Sequence, residues 1–321
     1  MKKLLTYTIA IAALISCRTA IDIELPQTDS KLVLNSYQST DSVWVFYLSA
    51  SLMANSQDSL EFVKNGTITI KGDDGSSDEI NGSQSTVKYQ IGTYWDEFSQ
   101  QLVTDTFGRR IYEQYIGTTT PKSGVTYSIE AKAPGYVTVS TEVTFPTPVP
   151  VNGVDTGTTL SEGWKAAKVD VRFTDPAGDS NYYDMKFHYV TYTPVYDSIN
   201  QTFDLAENRA RAYYYPIETS FFDFSAFQGF DDGTFDGQTI EKSYAGELYY
   251  LQNPYDSLIP AYFITELRTT TVDYYLYKRS VALFDQSKGS PFAQPVQIYT
   301  NIKNGYGVVA PYTAYLDTLD L

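Results

Sequence analysis

Cysteine and histidine each occur once in 321 residues. A single thiol closes no internal disulfide. A single imidazole leaves no second ring for the common zinc sites and no histidine cluster for a pH switch. Basic side chains are scarce as well: 23 Lys and Arg stand against 38 Asp and Glu, a formal charge of −15. That surplus repels a phosphate backbone, which argues against nucleic acid as a partner. Neither a GxSxG elbow nor an HExxH helix occurs, so no catalytic residue is assigned, no enzymatic activity is expected and no cofactor is implied. Beyond the first residues no stretch approaches 18 apolar positions, the length that would suggest a further membrane-crossing helix. What the chain does have is apolar bulk, 42% of its residues, enough for one large domain or two ordinary ones and too much for wholesale disorder.

The lone cysteine has an informative address. The chain opens MKKLLTYTIAIAALISC, where Lys2 and Lys3 form a basic n-region and Leu4 to Ile15 a mostly apolar core that is too short to span a bilayer as a mature helix. Leu14-Ile15-Ser16-Cys17 resembles the bacterial lipobox. The resemblance implies cleavage between Ser16 and Cys17, a diacylglycerol thioether on Cys17 and acylation of its new amine. Residues 1–16 are then a leader and 17–27 a tether. Each buried CH₂ contributes roughly 0.8 kcal/mol, so two or more chains anchor stably where one does not. Loss of Lys2 and Lys3 takes the formal charge from −15 to −17, which favours a solvated body standing off anionic headgroups. Arg18 stands where an inner-membrane retention signal would place Asp, which resembles an outer-membrane address. The side of that membrane is left open.

From Leu25 onward, short runs of Val, Ile, Thr, Tyr and Phe are broken by Gly, Asp, Asn and Pro every eight to twelve residues, a pattern of β-sandwiches. Strands are expected over 32–37, 43–50, 67–71, 109–116, 125–131 and 136–145. In the last, Val137, Val139, Thr141, Val143 and Phe145 share the inward face. The run GDDGSSDEINGSQS, between Lys71 and Thr86, lacks apolar content and reads as an exposed loop. Three prolines in PTPVPV (146–151) mark a spacer. The expected organisation is an N-terminal immunoglobulin-like β-sandwich over 28–146, a Pro-rich linker and lead-in over 147–165, and a second β-rich, sandwich-like domain over 166–321 carrying one α-helix. In that second domain KVDVRFTD (168–175) and YYDMKFHYVTY (182–192) read as a hairpin, and the regions 238–250 and 261–269 as a further strand pair. VQIYTNI and YGVVAPY read as closing strands. The helix, at about 271–286, rests on the spacing of Val272, Tyr275, Leu276 and Leu283, with Asp273 in its first turn.

FTDPAGDSNYYDMKF, DDGTFDG and PFAQPVQIYTNIKNGYGVVAPYT, behind a lipobox and an early LVLNSYQS strand, resemble the Bacteroidetes lipoprotein family catalogued as domain of unknown function 4249. The likeness runs from about Ile21 to near the C-terminus. The family has no established activity, so no site residue is inherited. The resemblance implies an outer-membrane lipoprotein that is an accessory or ligand-capturing partner of a TonB-dependent transporter, with the small ligand unspecified. A surface hydrolase acting on glycans or peptides through a carboxylate pair, and a structural or adhesive envelope protein, are the alternatives.

Three groups of residues are candidates for chemistry or recognition. His188 lies in MKFHYV, where Met185, Phe187 and Tyr189 face the core and Lys186, His188 and Val190 the other side. An exposed strand histidine is the expectation. Asp232, Thr234, Asp236 and Gly237 match positions 1, 3, 5 and 6 of a calcium loop, but Ser243 stands at position 12 where a bidentate Glu is needed. Asp232 and Asp236 are thus weak calcium candidates, with Asp175 and Asp179 weaker still, and turn chemistry explains all four. The aromatic segment Tyr213, Tyr214, Tyr215, Phe221, Phe222, Phe224, Phe227 and Phe230 is a candidate recognition surface, since rings on loops give rigid contact area. Burial against its own domain is the competing reading.

Overall fold

The computed structural model describes residues 29–52, 60–96, 101–161, 164–197, 202–217, 228–246, 259–288, 294 and 296–320. Alternating apolar residues build strands that must bury one face each, and three sheets result. The longest runs in the order β12 (Thr202–Ala212), β11 (Tyr182–Asp197), β16 (Ile259–Thr270), β17 (Tyr306–Asp320), β1 (Leu32–Ser39), β2 (Val45–Ala50), β6 (Gln101–Ile116) and β5 (Gln84–Asp96), with β14 (Gly229–Asp231) paired to β11. One four-stranded sheet is ordered β4 (Ser77–Asn81), β3 (Thr67–Gly72), β7 (Thr126–Lys132), β8 (Val139–Thr144). The other is ordered β13 (Tyr214–Pro216), β15 (Thr239–Gly246), β10 (Trp164–Thr174), β9 (Val151–Ser161). The fold is mainly β, with sheets packed as sandwiches and one helix, α1 (Val272–Ser287), among the described residues.

Both small sheets cover one face of the long sheet. Leu34, Leu48, Trp44 and Val309 pack with Ile68, Ile129, Val143 and Phe145 in a first core. Phe187, Phe263 and Leu267 pack with Val169, Phe173 and Tyr244 in a second. The chain passes between the two cores at the prolines: Phe145 belongs to the first and Val149 to the second. Residues of the opposite parity on the long sheet, Val308 and Ala310, meet Tyr274 of α1 instead. The helix therefore lies on the back of the sheet. Thr271 caps it, its hydroxyl accepting from the Tyr274 amide at 3.3 Å and so satisfying one of the free amides of the first turn.

The first and last strands close the molecule. β1 and β17 run parallel, from Val33 opposite Tyr306 to Ser39 opposite Tyr312, so residues some 270 positions apart in sequence share one ladder. The NGYG turn makes this approach possible. Asn304 has φ 63°, Gly307 has φ 101°, and a Cβ at Gly307 would lie 2.2 Å from the Leu34 carbonyl oxygen. Only glycine fits there.

Several sequence expectations are corrected. The polar run after Lys71 is not a loop: it holds β4 and the start of β5, because a single inward Ile80, 5% exposed, suffices for a short edge strand. Segments 168–175 and 182–192 form strands but not a hairpin. β10 pairs with β9 and β15 while β11 pairs with β12, β14 and β16, since both inward faces are apolar and pack against each other across the second core. β15 and β16 likewise sit in different sheets. VQIYTNI forms no strand. Val137, expected inward, is 71% exposed, as it precedes the first residue of β8.

Candidate functional site

Two polar clusters carry the chemistry of the described residues. The first joins the loops DPAGDSN and DDGTFDG, which cap the same end of the second sandwich. Asp175 and Asp232 are buried and Asp236 is exposed, and one carboxylate oxygen from each lies within 4.8 Å of the others. Each is already an acceptor. Asp175 Oδ2 takes the Gly237 amide at 2.9 Å and Oδ1 the Tyr183 hydroxyl. Asp232 Oδ2 takes the Asn181 amide at 2.8 Å, and Asp236 Oδ1 the Gly178 amide at 2.8 Å. The two loops are stapled in both directions, because the Asp232 amide also donates to the Asn181 carbonyl at 3.2 Å. Burial, and then the bond to Asp175, push the Tyr183 phenol above its ordinary range. A hard divalent cation is the ligand that three such oxygens could share. Sequence alone names Asp232 and Asp236 on one loop and Asp175 and Asp179 on another without joining them; the fold brings Asp175 to Asp232 and Asp236 and leaves Asp179 outside the group.

The second cluster lies between the back of the long sheet and α1. Asp184, Lys186 and His188 alternate along β11, and Glu266 and Arg268 along β16, with Asp184 opposite Arg268 and Lys186 opposite Glu266. Lys186 Nζ is 2.8 Å from Asp184 Oδ1. Glu266 binds Arg268 Nε at 2.7 Å and His188 Nε2 at 2.9 Å. The Tyr274 hydroxyl reaches down from α1 to donate to Asp184 Oδ2 at 2.7 Å. The Arg268 guanidinium stacks 4.5 Å from the centre of the Tyr312 ring. Two carboxylates thus face two cations and an imidazole, a near-neutral set of the kind that tolerates burial. Burial raises the Glu266 carboxyl, but the His188 hydrogen bond and the Arg268 charge outweigh it and hold the group at about 2. Burial, followed by the nearby Asp184, raises the Tyr274 phenol far above its usual value.

His188 is therefore not the exposed strand histidine that sequence alone suggests. Its side chain is 17% exposed and bonded to Glu266, because the face opposite the core is also covered. A carboxylate that orients an imidazole is half of a general-base arrangement. Among the described residues no hydroxyl or thiol is hydrogen-bonded to the His188 ring. Asp184, Glu266, Arg268 and Tyr274 were not identified as a group from sequence. The usable signal was opposite charge at period-two spacing on two strands.

The aromatic segment divides. Tyr214 is 3% exposed and bonded through its hydroxyl to Tyr189 at 2.7 Å, and Phe230 packs against the second core. Tyr214 is thus a core residue and Phe230 a partly buried one at the core's edge, since β13 and β14 turn them toward it. Tyr213 is 62% exposed and Tyr215 half-buried. Phe221, Phe222, Phe224 and Phe227 lie outside the described residues, as do Ser16 and Cys17. Among the described residues no helix is long and apolar enough to cross a membrane.

One family model, described as Domain of unknown function (DUF4249), matches residues 18–315. No curated protein matches the chain.

Proposed function

Since the chain belongs to the family described as domain of unknown function 4249, we propose that it is a lipid-anchored outer-membrane protein that works as a non-enzymatic accessory or ligand-capturing partner of a TonB-dependent transporter. One observation carries the reading: the family match begins at residue 18, immediately after the lipobox cysteine Cys17. Lipid and family body are then consecutive parts of one mature chain. β1 starts at Leu32, fifteen residues past Cys17, and at roughly 3.3–3.6 Å per residue such a leash reaches at most about 54 Å. That keeps the body within range of a barrel in the same membrane. Both polar clusters support the non-enzymatic reading, because their carboxylates are engaged in holding loops and helix in place.

The test is recovery of the tagged protein from membranes in mild detergent. Stoichiometric co-purification of a β-barrel transporter is expected, together with its loss when Cys17→Ser releases the body from the membrane. Recovery of the anchored protein alone, under conditions that preserve other membrane complexes, overturns the reading.

A further inference from the structure

α1 is only partly used by the fold. Of its sixteen residues only Tyr274 is buried, while Leu283 and Phe284 are 46% and 39% exposed. A second stripe of the helix, Leu276, Arg279, Ser280 and Leu283, follows helical spacing. It forms one wall of a groove of about 500 Å³. The opposite wall is the segment 296–300, where Val296 and Ile298 supply further apolar lining. The walls are fixed to each other by Tyr299, whose amide donates to Ser280 Oγ at 3.0 Å and whose hydroxyl donates to Asp273.

Two properties of this groove point to an occupant. Among the described residues, the backbone amides and carbonyls of Val296, Gln297 and Ile298 make no hydrogen bond. Unpaired backbone donors and acceptors of this kind are what an added strand pairs with. Arg279 is the groove's one cationic lining residue and makes no ion pair or hydrogen bond among the described residues. A guanidinium without a partner among the described residues, set beside apolar lining, is a local positive charge in a chain of net charge −15. It favours an anion that the rest of the surface repels.

We propose that this groove docks an extended segment of a partner protein that carries an acidic residue. The segment's backbone pairs along 296–298, its alternate apolar side chains sit against Leu276, Leu283, Val296 and Ile298, and its carboxylate meets Arg279. This site stands apart from the transporter reading, for peptide binding in solution can succeed where co-purification fails, and the reverse.

The experiment uses phage-displayed random dodecapeptides selected on the detergent-solubilised full-length protein, followed by fluorescence-polarisation titration of the recovered peptides. Peptides alternating apolar residues and carrying Asp or Glu are expected. Arg279→Glu is expected to weaken them by roughly tenfold or more, since a charge-assisted hydrogen bond becomes a repulsion. Gln297→Pro, which removes one wall amide, weakens them while an unchanged circular dichroism spectrum reports an intact fold. Failure to enrich any peptide, enrichment of peptides lacking acids, or unchanged affinity for Arg279→Glu overturns the proposal. So does sedimentation showing a dimer that Arg279→Glu dissolves, because the occupant is then a second copy of this chain.

Discussion

The Tyr274 hydroxyl donates to Asp184 Oδ2 at 2.7 Å across ninety residues of chain. Tyr274 is the one buried residue of α1, and Asp184 is fully buried on the back of the long sheet. The bond therefore sets where the helix sits and with it the outer stripe that faces solvent. Removing the donor leaves a buried carboxylate with the Lys186 ammonium, 2.8 Å from Oδ1, as its partner among the described residues. Tyr274→Phe is expected to lower stability by about 1–3 kcal/mol, read as a reduced denaturant midpoint with an unchanged slope. An unaltered midpoint shows that α1 is held by packing alone.

The Glu266 carboxyl gives the cluster a pH signature. Its ordinary value is 4.5, and His188 and Arg268 bring it to about 2 against the opposing effect of burial. The folded state thus binds this proton more weakly than the unfolded chain. Its stabilising contribution is fully present above pH 4.5 and is lost as pH falls through about 2. The size is on the order of 3 kcal/mol. Glu266→Gln is expected to be less stable than the parent at about pH 6 and to converge toward it near pH 2. Chemical denaturation across that range checks the convergence, and parallel curves for the two proteins contradict it.

Gly307 tests the closure of the fold. At φ 101° and with the Leu34 carbonyl oxygen 2.2 Å from a built Cβ, alanine there must push β1 and β17 apart. Gly307→Ala is expected to cost more than about 2 kcal/mol, combining backbone strain with a broken ladder. Gly124, also at positive φ but with nothing near its Cβ position, supplies the comparison: its alanine variant pays for φ alone, about 1–2 kcal/mol. Equal losses at the two positions rule out the steric part of the argument.

Local patterns carried much of this architecture. The helix was legible at about 271–286 because Asp273 in its first turn and the apolar spacing act within one or two turns, and it spans Val272–Ser287. Period-two alternation located β1, β3, β7 and β8 to within a few residues. Strand partnership was not legible, because the contacts that decide it lie far apart in sequence. β10 and β11 are neighbours in the chain with a turn between them, yet Val169, Val171 and Phe173 face Tyr183, Met185 and Phe187 across a core instead of lying beside them. The charge cluster was missed for a related reason. Asp184, Lys186 and His188 have the spacing of a wet strand face, and only α1, ninety residues later, covers it.

The stapled loops show how an acid-rich motif can be structural. Asp175 has both oxygens occupied, by the Tyr183 hydroxyl and the Gly237 amide, and it is 2% exposed. Asp175→Ala therefore strands two donors in a dry site. The expected loss is about 2–4 kcal/mol, one unsatisfied group of roughly 1–3 kcal/mol for each donor with partial relaxation. Asp179, exposed and outside the carboxylate group, is expected to tolerate alanine within about 0.5 kcal/mol. Paired denaturant melts of the two variants separate the staple from its neighbour. The Tyr183 phenol provides an independent readout: its titration, raised by burial and by the Asp175 bond, is expected to move back toward pH 10 in Asp175→Ala, followed by ultraviolet absorbance. A midpoint that falls without that movement places the damage in the loop backbone, whereas a coupled fall ties it to the Tyr183–Asp175 bond.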